Sequence, residues 1–271
     1  MNSMQGKRVI VTGPTSGVGK EIAIQLAELG AEVVLAARNI QKANEVAAEI
    51  SRRTGSNNAV VMEIDTSNQE SIRRFAREFR NQYNRLDVLI NNAGGNRGTL
   101  PKVNSVDGIE LTFATNVLGY FLLTQELIDV LKKSAPSRII NVASQFASDL
   151  DLDDLQFEHR PFESFRAYAQ SKASDRMLTW ALARRLEGTG VTANAMTPGL
   201  ITETALYRNA EAELVKRLNQ YSGGRTIAQG ADTAVWLASD HELQNVSGKF
   251  FEDREEQECE FRNEKNEEKL W

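Results

Sequence analysis

Apolar positions along the chain fall into short solid runs separated by longer stretches that repeat at helical spacing. Residues 8–12 (Arg-Val-Ile-Val-Thr) form one such run, closed by a glycine-rich turn, and its length and punctuation predict a buried strand. Val18, Ile22, Ala23, Leu26, Ala27 and Leu29 then recur every three or four positions until Gly30 stops the pattern, which predicts a helix. The same alternation continues, with strands expected at 32–37, 59–64, 86–91, 138–143 and 191–196. Between them, Asn39 caps a predicted helix that carries Ile40, Ala43, Val46, Ala47 and Ile50 on one face. Ser67-Asn-Gln-Glu70 matches a capping box ahead of the stripe Ile72, Phe75, Ala76, Phe79 and Tyr83. Further helices are expected over 106–133 and 165–187.

Strands that alternate with helices imply a parallel sheet covered on both faces. With short loops and right-handed crossovers, the expected fold is α/β: a single-domain Rossmann fold, a doubly wound parallel β-sheet. No internal repeat, linker or composition break interrupts the chain before about residue 250, so one domain is expected over 1–251.

Composition narrows the function. At 271 residues and 41% hydrophobic, the chain can bury a substantial core. Its formal charge of -5 resides in the last twenty residues, 252–271, which hold nine acidic and four basic side chains. The body holds 28 of each sign and offers no general positive field for nucleic acid or an anionic membrane. One cysteine, Cys259, and two distant histidines, His159 and His241, suggest neither a disulfide nor a metal centre. No signal-like segment or run of about eighteen apolar residues is present, so a cytoplasmic protein without a membrane anchor is expected.

The turn Thr12-Gly-Pro-Thr-Ser-Gly-Val-Gly19 joins the first strand to the first helix. Gly13, Thr15, Ser16, Gly17, Val18 and Gly19 are there candidates for holding a phosphate, because glycines allow close approach and a helix N-terminus offers free N–H groups. A nucleoside-triphosphate loop is the rival, but Pro14 stands at its first glycine and Glu21 at its magnesium-binding hydroxyl. A plain tight turn is the bland alternative, and the flanking strand and helix weigh against it. At the end of the second strand Ala37 supplies no carboxylate for a ribose hydroxyl, while Arg38 supplies a planar cation suited to a 2'-phosphate. NADP(H) is therefore favoured over NAD(H).

Tyr168 and Lys172 lie four apart, on one face of a predicted helix, so an ammonium can stand beside a phenol and favour its ionised form. Together, the glycine turn, Asn91-Asn-Ala-Gly94, Ser144, Tyr168-x-x-x-Lys172 and Pro198-Gly199 resemble the short-chain dehydrogenase/reductase family over about residues 7–251. The resemblance implies that Tyr168 exchanges the proton, Lys172 tunes it and holds the nicotinamide ribose, Ser144 bonds the substrate oxygen, and Asn116 supports a proton path. It further implies cofactor contacts from Asp65 and Thr66, from Asn92, Ala93 and Gly94, and from Pro198, Gly199, Ile201 and Thr202. A departure stands at Glu203, where the family usually has a Thr; Thr202 and Thr204 flank it.

Within the family the chain looks most like the retinol-dehydrogenase-like branch. The features are the insert 146–165, Arg184-Arg185-Leu-Glu-Gly188, Ser247-Gly-Lys-Phe-Phe251 and a tail ending in Lys-Leu-Trp271. The implied activity is carbonyl–alcohol interconversion on a small, largely apolar substrate, with residues 200–226 as a substrate lid. Reduction of a carbon–carbon double bond and a non-catalytic nicotinamide-binding regulator are the alternatives. A homodimer through the helices carrying Tyr120, Phe121, Leu127, Met177, Leu178 and Trp180 is also implied, although core packing is the default for these residues. The tail is expected to be a solvated, charged extension, with Leu270 and Trp271 as an alternative apolar anchor.

Overall fold

The computed structural model describes residues 3–202, 209, 216 and 224–271. Its strands are β1 (Arg8–Thr12), β2 (Glu32–Ala37), β3 (Ala59–Glu63), β4 (Val88–Asn91), β5 (Ser137–Val142), β6 (Val191–Met196), β7 (Phe250–Glu252) and β8 (Glu255–Gln257). They form one sheet in the order β3-β2-β1-β4-β5-β6-β7-β8, parallel except for the β7–β8 pair. Strand order reverses between β1 and β4, so the loops leaving these two strands open a crevice at the sheet's carboxyl edge.

Side-chain alternation divides the core into two layers. Val9 and Val11 of β1, with Val33 and Leu35 of β2, pack beneath α1 (Gly17–Glu28), α2 (Ile40–Thr54) and, later in the chain, a helix at Ile227–Ser239. Ile10, Val34 and Ala36 face the opposite way. They meet Phe75 and Phe79 of α3 (Gln69–Gln82) and Leu123 and Leu127 on a further helix. That helix comes in three pieces: α4 (Leu111–Phe113), a π-helical stretch Ala114–Leu118, and α5 (Gly119–Lys133). α6 (Ser164–Arg185), α7 (Ile227–Ser239) and α8 (Glu264–Leu270) follow.

The long helix starts at Leu111 rather than near 106. Glu110 sets the boundary: its carboxylate accepts from Thr112 and Phe113 N–H at 2.8 Å each, and Gly108 turns the preceding chain at φ 77°. The capping box expected at 67–70 is also displaced. Asn68 is the cap of α3, accepting from Ser71 N at 3.0 Å, while the Ser67 hydroxyl donates to Asp65 at 2.7 Å.

The acidic C-terminal segment is folded. Asp253 and Arg254 turn at φ 52° and 63° to pair β8 with β7, a two-residue hairpin geometry. α8 lies on α6, where Glu268 bonds Arg185 at 2.6 Å and Trp271 meets the Phe121 ring edge-on at 5.0 Å. Arg185 also stacks over the Trp271 ring at 4.0 Å. The faces the resemblance offers for a homodimer, at Phe121 and beside Leu178, are thus met by the chain's own last turn. Among the described residues no helix is long and apolar enough to cross a membrane.

Asp87, 3% exposed, ties the start of β1 to β4. It accepts from Arg8 N at 2.9 Å, Lys7 Nζ at 3.1 Å and Arg85 Nε at 3.0 Å. Burial pushes its carboxyl up, but Arg85, the Arg8 N–H and Lys7 together hold it below the ordinary range. A depressed folded-state value contributes stability that is present above the unfolded value and lost as pH falls through the folded one. Thermal melts are expected to fall on acidification below about pH 4, and Asp87→Asn, less stable at neutral pH, is expected to show a weaker acid dependence.

Candidate active site

A cleft of about 650 Å³ runs along the carboxyl edge of β1, β2 and β4. One end is built by the turn after β1, where Gly13 and Gly17 take φ 65° and 53°. Ser16 precedes α1 without capping it through its side chain, so the first N–H groups of this helix have no side-chain cap. A Cβ on Gly17 would meet nothing within 4 Å, whereas one on Gly19 would lie 2.2 Å from Asn92 Nδ2 and 2.4 Å from Gly13 O. The turn is braced from β4: Asn92 Nδ2 donates to Thr12 O at 2.9 Å, and Thr12 Oγ1 accepts from Asn92 N and Ala93 N at 2.9 Å each. The Asn92 amide therefore holds the glycine turn as well as lining the cleft.

The structure brings most of the residues read from the sequence to this cleft: Gly13, Thr15, Ser16, Gly17, Val18 and Gly19 from the turn, and Arg38, Asp65 and Thr66 from the ends of β2 and β3. Asn92, Ala93, Gly94, Tyr168, Lys172, Pro198, Gly199 and Ile201 complete its wall. Thr202, Ser144 and Asn116 are outside the lining. Most of the 200–226 lid, with Glu203, Thr204, Leu206 and Tyr207, lies outside the described residues. Arg38 is 73% exposed at the cleft edge, and its only carboxylate contact among the described residues is Asp65 at 3.9 Å. Lys42 joins it there as a second cation. Sequence reading missed Lys42, although its place four residues after Arg38, in the first turn of α2, was the available signal.

Asn116 sits in the π-helical stretch, a local widening that often marks function. Its Oδ1 accepts from Gly95 N at 3.1 Å and its Nδ2 donates to Ser171 Oγ at 2.9 Å. Ser144 follows β5, is 5% exposed, and its hydroxyl accepts from Phe146 N at 3.1 Å. The Ser144 carbonyl is held by the buried Arg176 guanidinium, which stacks on the Phe250 ring at 3.7 Å.

Tyr168, 5% exposed, is pushed up to about 12 by burial, with the Ser144 side chain opposing and Asp175 adding to the rise. The spacing of four predicts that the Lys172 ammonium stands by this phenol and favours its ionised form. Instead Lys172 Nζ donates to Val142 O at 2.9 Å and to Asp175 Oδ2 at 2.8 Å. A carboxylate three residues on along the helix outcompetes a neutral phenol for the ammonium. Against the effect of burial, Asp175 and Tyr120 hold Lys172 above its ordinary value. Asp175 itself was not read from the sequence.

The profile of the family described as short chain dehydrogenase matches residues 7–214. The chain belongs to the short chain dehydrogenase family. Retinol dehydrogenase 14 of Homo sapiens is 38% identical over 274 residues, spanning 94% of this chain and 80% of the relative. Retinol dehydrogenase 13 of Homo sapiens is 38% identical over 258 residues, spanning 92% and 77%. These relatives support the retinol-dehydrogenase-like branch. Among solved structures, a Pseudomonas aeruginosa protein described as an RhlG/NADP active-site complex superposes with a TM-score of 0.73 at 28% identity, covering 92% of this chain and 95% of that one. A dehydrogenase/reductase from Sinorhizobium meliloti 1021 gives 0.74 at 28%, covering 92% and 94%. This member of the short chain dehydrogenase family is accordingly an oxidoreductase with a Rossmann fold, a family that acts on carbonyl and alcohol groups with a nicotinamide cofactor.

Proposed function

We propose that the chain interconverts a largely apolar ketone or aldehyde and its alcohol, using NADP(H). The observation that carries this reading is the convergence, on one cleft, of a phosphate-binding glycine turn at one end and buried Tyr168 and Lys172 at the other. The cradle fits the cofactor: free N–H groups at α1, open space at Gly17, and Arg38 with Lys42 where a 2'-phosphate would lie. When bound, the nicotinamide supplies or accepts the hydride. Tyr168 gives its phenolic proton to the substrate oxygen in reduction and takes it back in oxidation. The Ser144 hydroxyl donates to the same oxygen and orients it, and Lys172 holds the ribose near the phenol. Asn116, bonded to Gly95 and Ser171, fixes the wall behind Lys172. The relatives' names point to retinol-like substrates, which agrees with an apolar substrate class.

A panel of apolar ketones, aldehydes and enones assayed with NADPH and NADH, with product identification, tests the reading. Carbonyl-to-alcohol turnover with NADPH supports it, and exclusive carbon–carbon double-bond reduction would replace it. Arg38→Ala is expected to raise KM for NADPH by about 10- to 100-fold, the worth of a charge-assisted hydrogen bond, while KM for NADH stays within about twofold. Equal effects on both cofactors would remove the argument for NADP(H).

A further inference from the structure

α6 buries two consecutive charged residues that the family motifs do not include, Asp175 and Arg176. Arg176 reaches toward Ser144. Asp175, 1% exposed, stands one turn beyond Lys172 with Oδ2 2.8 Å from its Nζ. Among the described residues its Oδ1 has no hydrogen-bond partner, and neither has the Tyr120 hydroxyl; both residues line a small cavity of about 20 Å³ that Trp271 also lines. The Lys172 ammonium lies 5.0 Å from the Tyr120 ring.

Inside a protein a counter-ion keeps an ammonium charged, and the same counter-ion cancels most of the field that ammonium exerts on a third group. Tyr168 is that third group, one turn before Lys172 on the same helix face. The charges around the pair are few. From α5 the titratable group is Tyr120, and from β5 come neutral Asn141 and the Val142 carbonyl. The π-helical stretch contributes neutral Asn116, and β6 turns apolar Ala193 and Ala195 to the α6 side. On α8 the buried carboxylate is Glu267, paired with Arg184, and Arg176 is engaged at Ser144 and Phe250. Burial pushes the Asp175 carboxyl up to about 7 with Lys172 opposing the rise, so once it ionises one ammonium and one carboxylate form a nearly neutral unit beside the phenol.

We propose that Asp175 is a positioning residue that neutralises Lys172 and so keeps Tyr168 protonated, in the form from which carbonyl reduction begins. Reduction consumes the phenol's proton, whereas oxidation needs the phenolate to accept one, so the balance of charge at Lys172 sets which half-reaction begins from the populated form. This rests on the proposed role of Tyr168, and Tyr168 can be titrated without any substrate. The phenolate absorbance of the full chain is followed with pH for the wild type, Asp175→Asn and Asp175→Ser, each against its Tyr168→Phe counterpart, so that the difference isolates Tyr168. With the carboxylate gone and the ammonium bare, the Tyr168 step is expected below about pH 11 in the variants and not in the wild type. Absence of a Tyr168 phenolate below about pH 11 in both variants, or a wild type that titrates with them, overturns the proposal. With an active substrate pair, the alkaline fall of reduction and the rise of oxidation with pH should both move to lower pH in the variants along with the phenol's titration midpoint, and unmoved profiles also overturn it. Failure of every chain to turn over any carbonyl would count against the proposed reaction, and the titration would still decide the role of Asp175.

Discussion

Replacing Tyr168 by Phe is expected to lower carbonyl reduction by about 10²- to 10⁴-fold, the range a positioned general acid supplies, while NADPH still binds. Among the described residues the phenol is the one proton donor in the cleft wall that is both buried and flanked by a hydroxyl and an ammonium-bearing helix turn. Because burial raises it to about 12, it holds its proton throughout the neutral range and is ready to give it to a developing alkoxide. Its donor form is lost only as pH rises toward that value, so reduction should be flat with pH across neutrality. Phe keeps the ring and its packing, including the tilted contact with Phe165 at 6.5 Å between centroids, so the fold and the phosphate end of the cleft are preserved. Steady-state turnover and fluorescence titration with NADPH on the same preparation check both halves. A Tyr168→Phe chain that reduces carbonyls within about threefold of wild type would assign the proton to another group.

How much of this was written in the pattern of residues differs from element to element. The doubly wound sheet was legible because each parallel strand is a solid apolar run and each covering helix an apolar stripe, two periods that do not resemble one another. The start of α4 was not, because Val106 and Ile109 extend the apolar spacing upstream while the deciding event is the Glu110 carboxylate turning back on Thr112 and Phe113. At 67–70 two adjacent residues, Ser67 and Asn68, have side chains suited to cap a helix, and the choice fell to Asn68 because Ser67 is spent on Asp65. The acidic end misled for an energetic reason. Excess charge reads as solvated, but Glu267, Glu268, Glu256 and Glu252 each have a cationic partner in the fold. The Trp271 indole, edge-on to Phe121 and under the Arg185 guanidinium, anchors the segment along with these pairs.

α6 shows the same limit at the site. Tyr168 and Lys172 were legible as a pair, since a spacing of four is a statement about one helix face. Asp175 was not, because polar residues on a helix ordinarily mark the solvent side. Here the helix is buried nearly all round, so Gln170, Ser171, Lys172, Ser174, Asp175 and Arg176 are interior together. Partners of this group lie on the 151–160 stretch of the insert for Gln170, the π-helical stretch for Ser171, β5 for Lys172 and the residue Ser144 for Arg176, all distant in sequence. Local spacing identifies which residues share a face; it does not say which face is buried or what stands opposite.

Gly19→Ala is expected to abolish measurable NADPH binding and to destabilise the fold by about 1–3 kcal/mol, as overpacking does. The new Cβ would lie 2.2 Å from Asn92 Nδ2 and 2.4 Å from Gly13 O, distances that real Cβ atoms do not show. Neither neighbour can yield cheaply. Gly13 O is backbone in the turn itself, and the Asn92 amide is bonded to Thr12 O at 2.9 Å. Relief must move the start of α1 away from β4, which separates the helix N–H groups from the place where a phosphate would sit. Gly17→Ala is the informative comparison. Its Cβ meets nothing, so the cost is the left-handed backbone at φ 53°, about 1–3 kcal/mol, and obstruction of the open cleft rather than displacement of the helix. Both variants should therefore bind NADPH poorly, but only Gly19→Ala should lose the hydrogen-exchange protection of the Asn92 and Ala93 N–H groups that Thr12 Oγ1 holds. Retained protection together with wild-type NADPH affinity in Gly19→Ala would mean that the turn does not carry the phosphate.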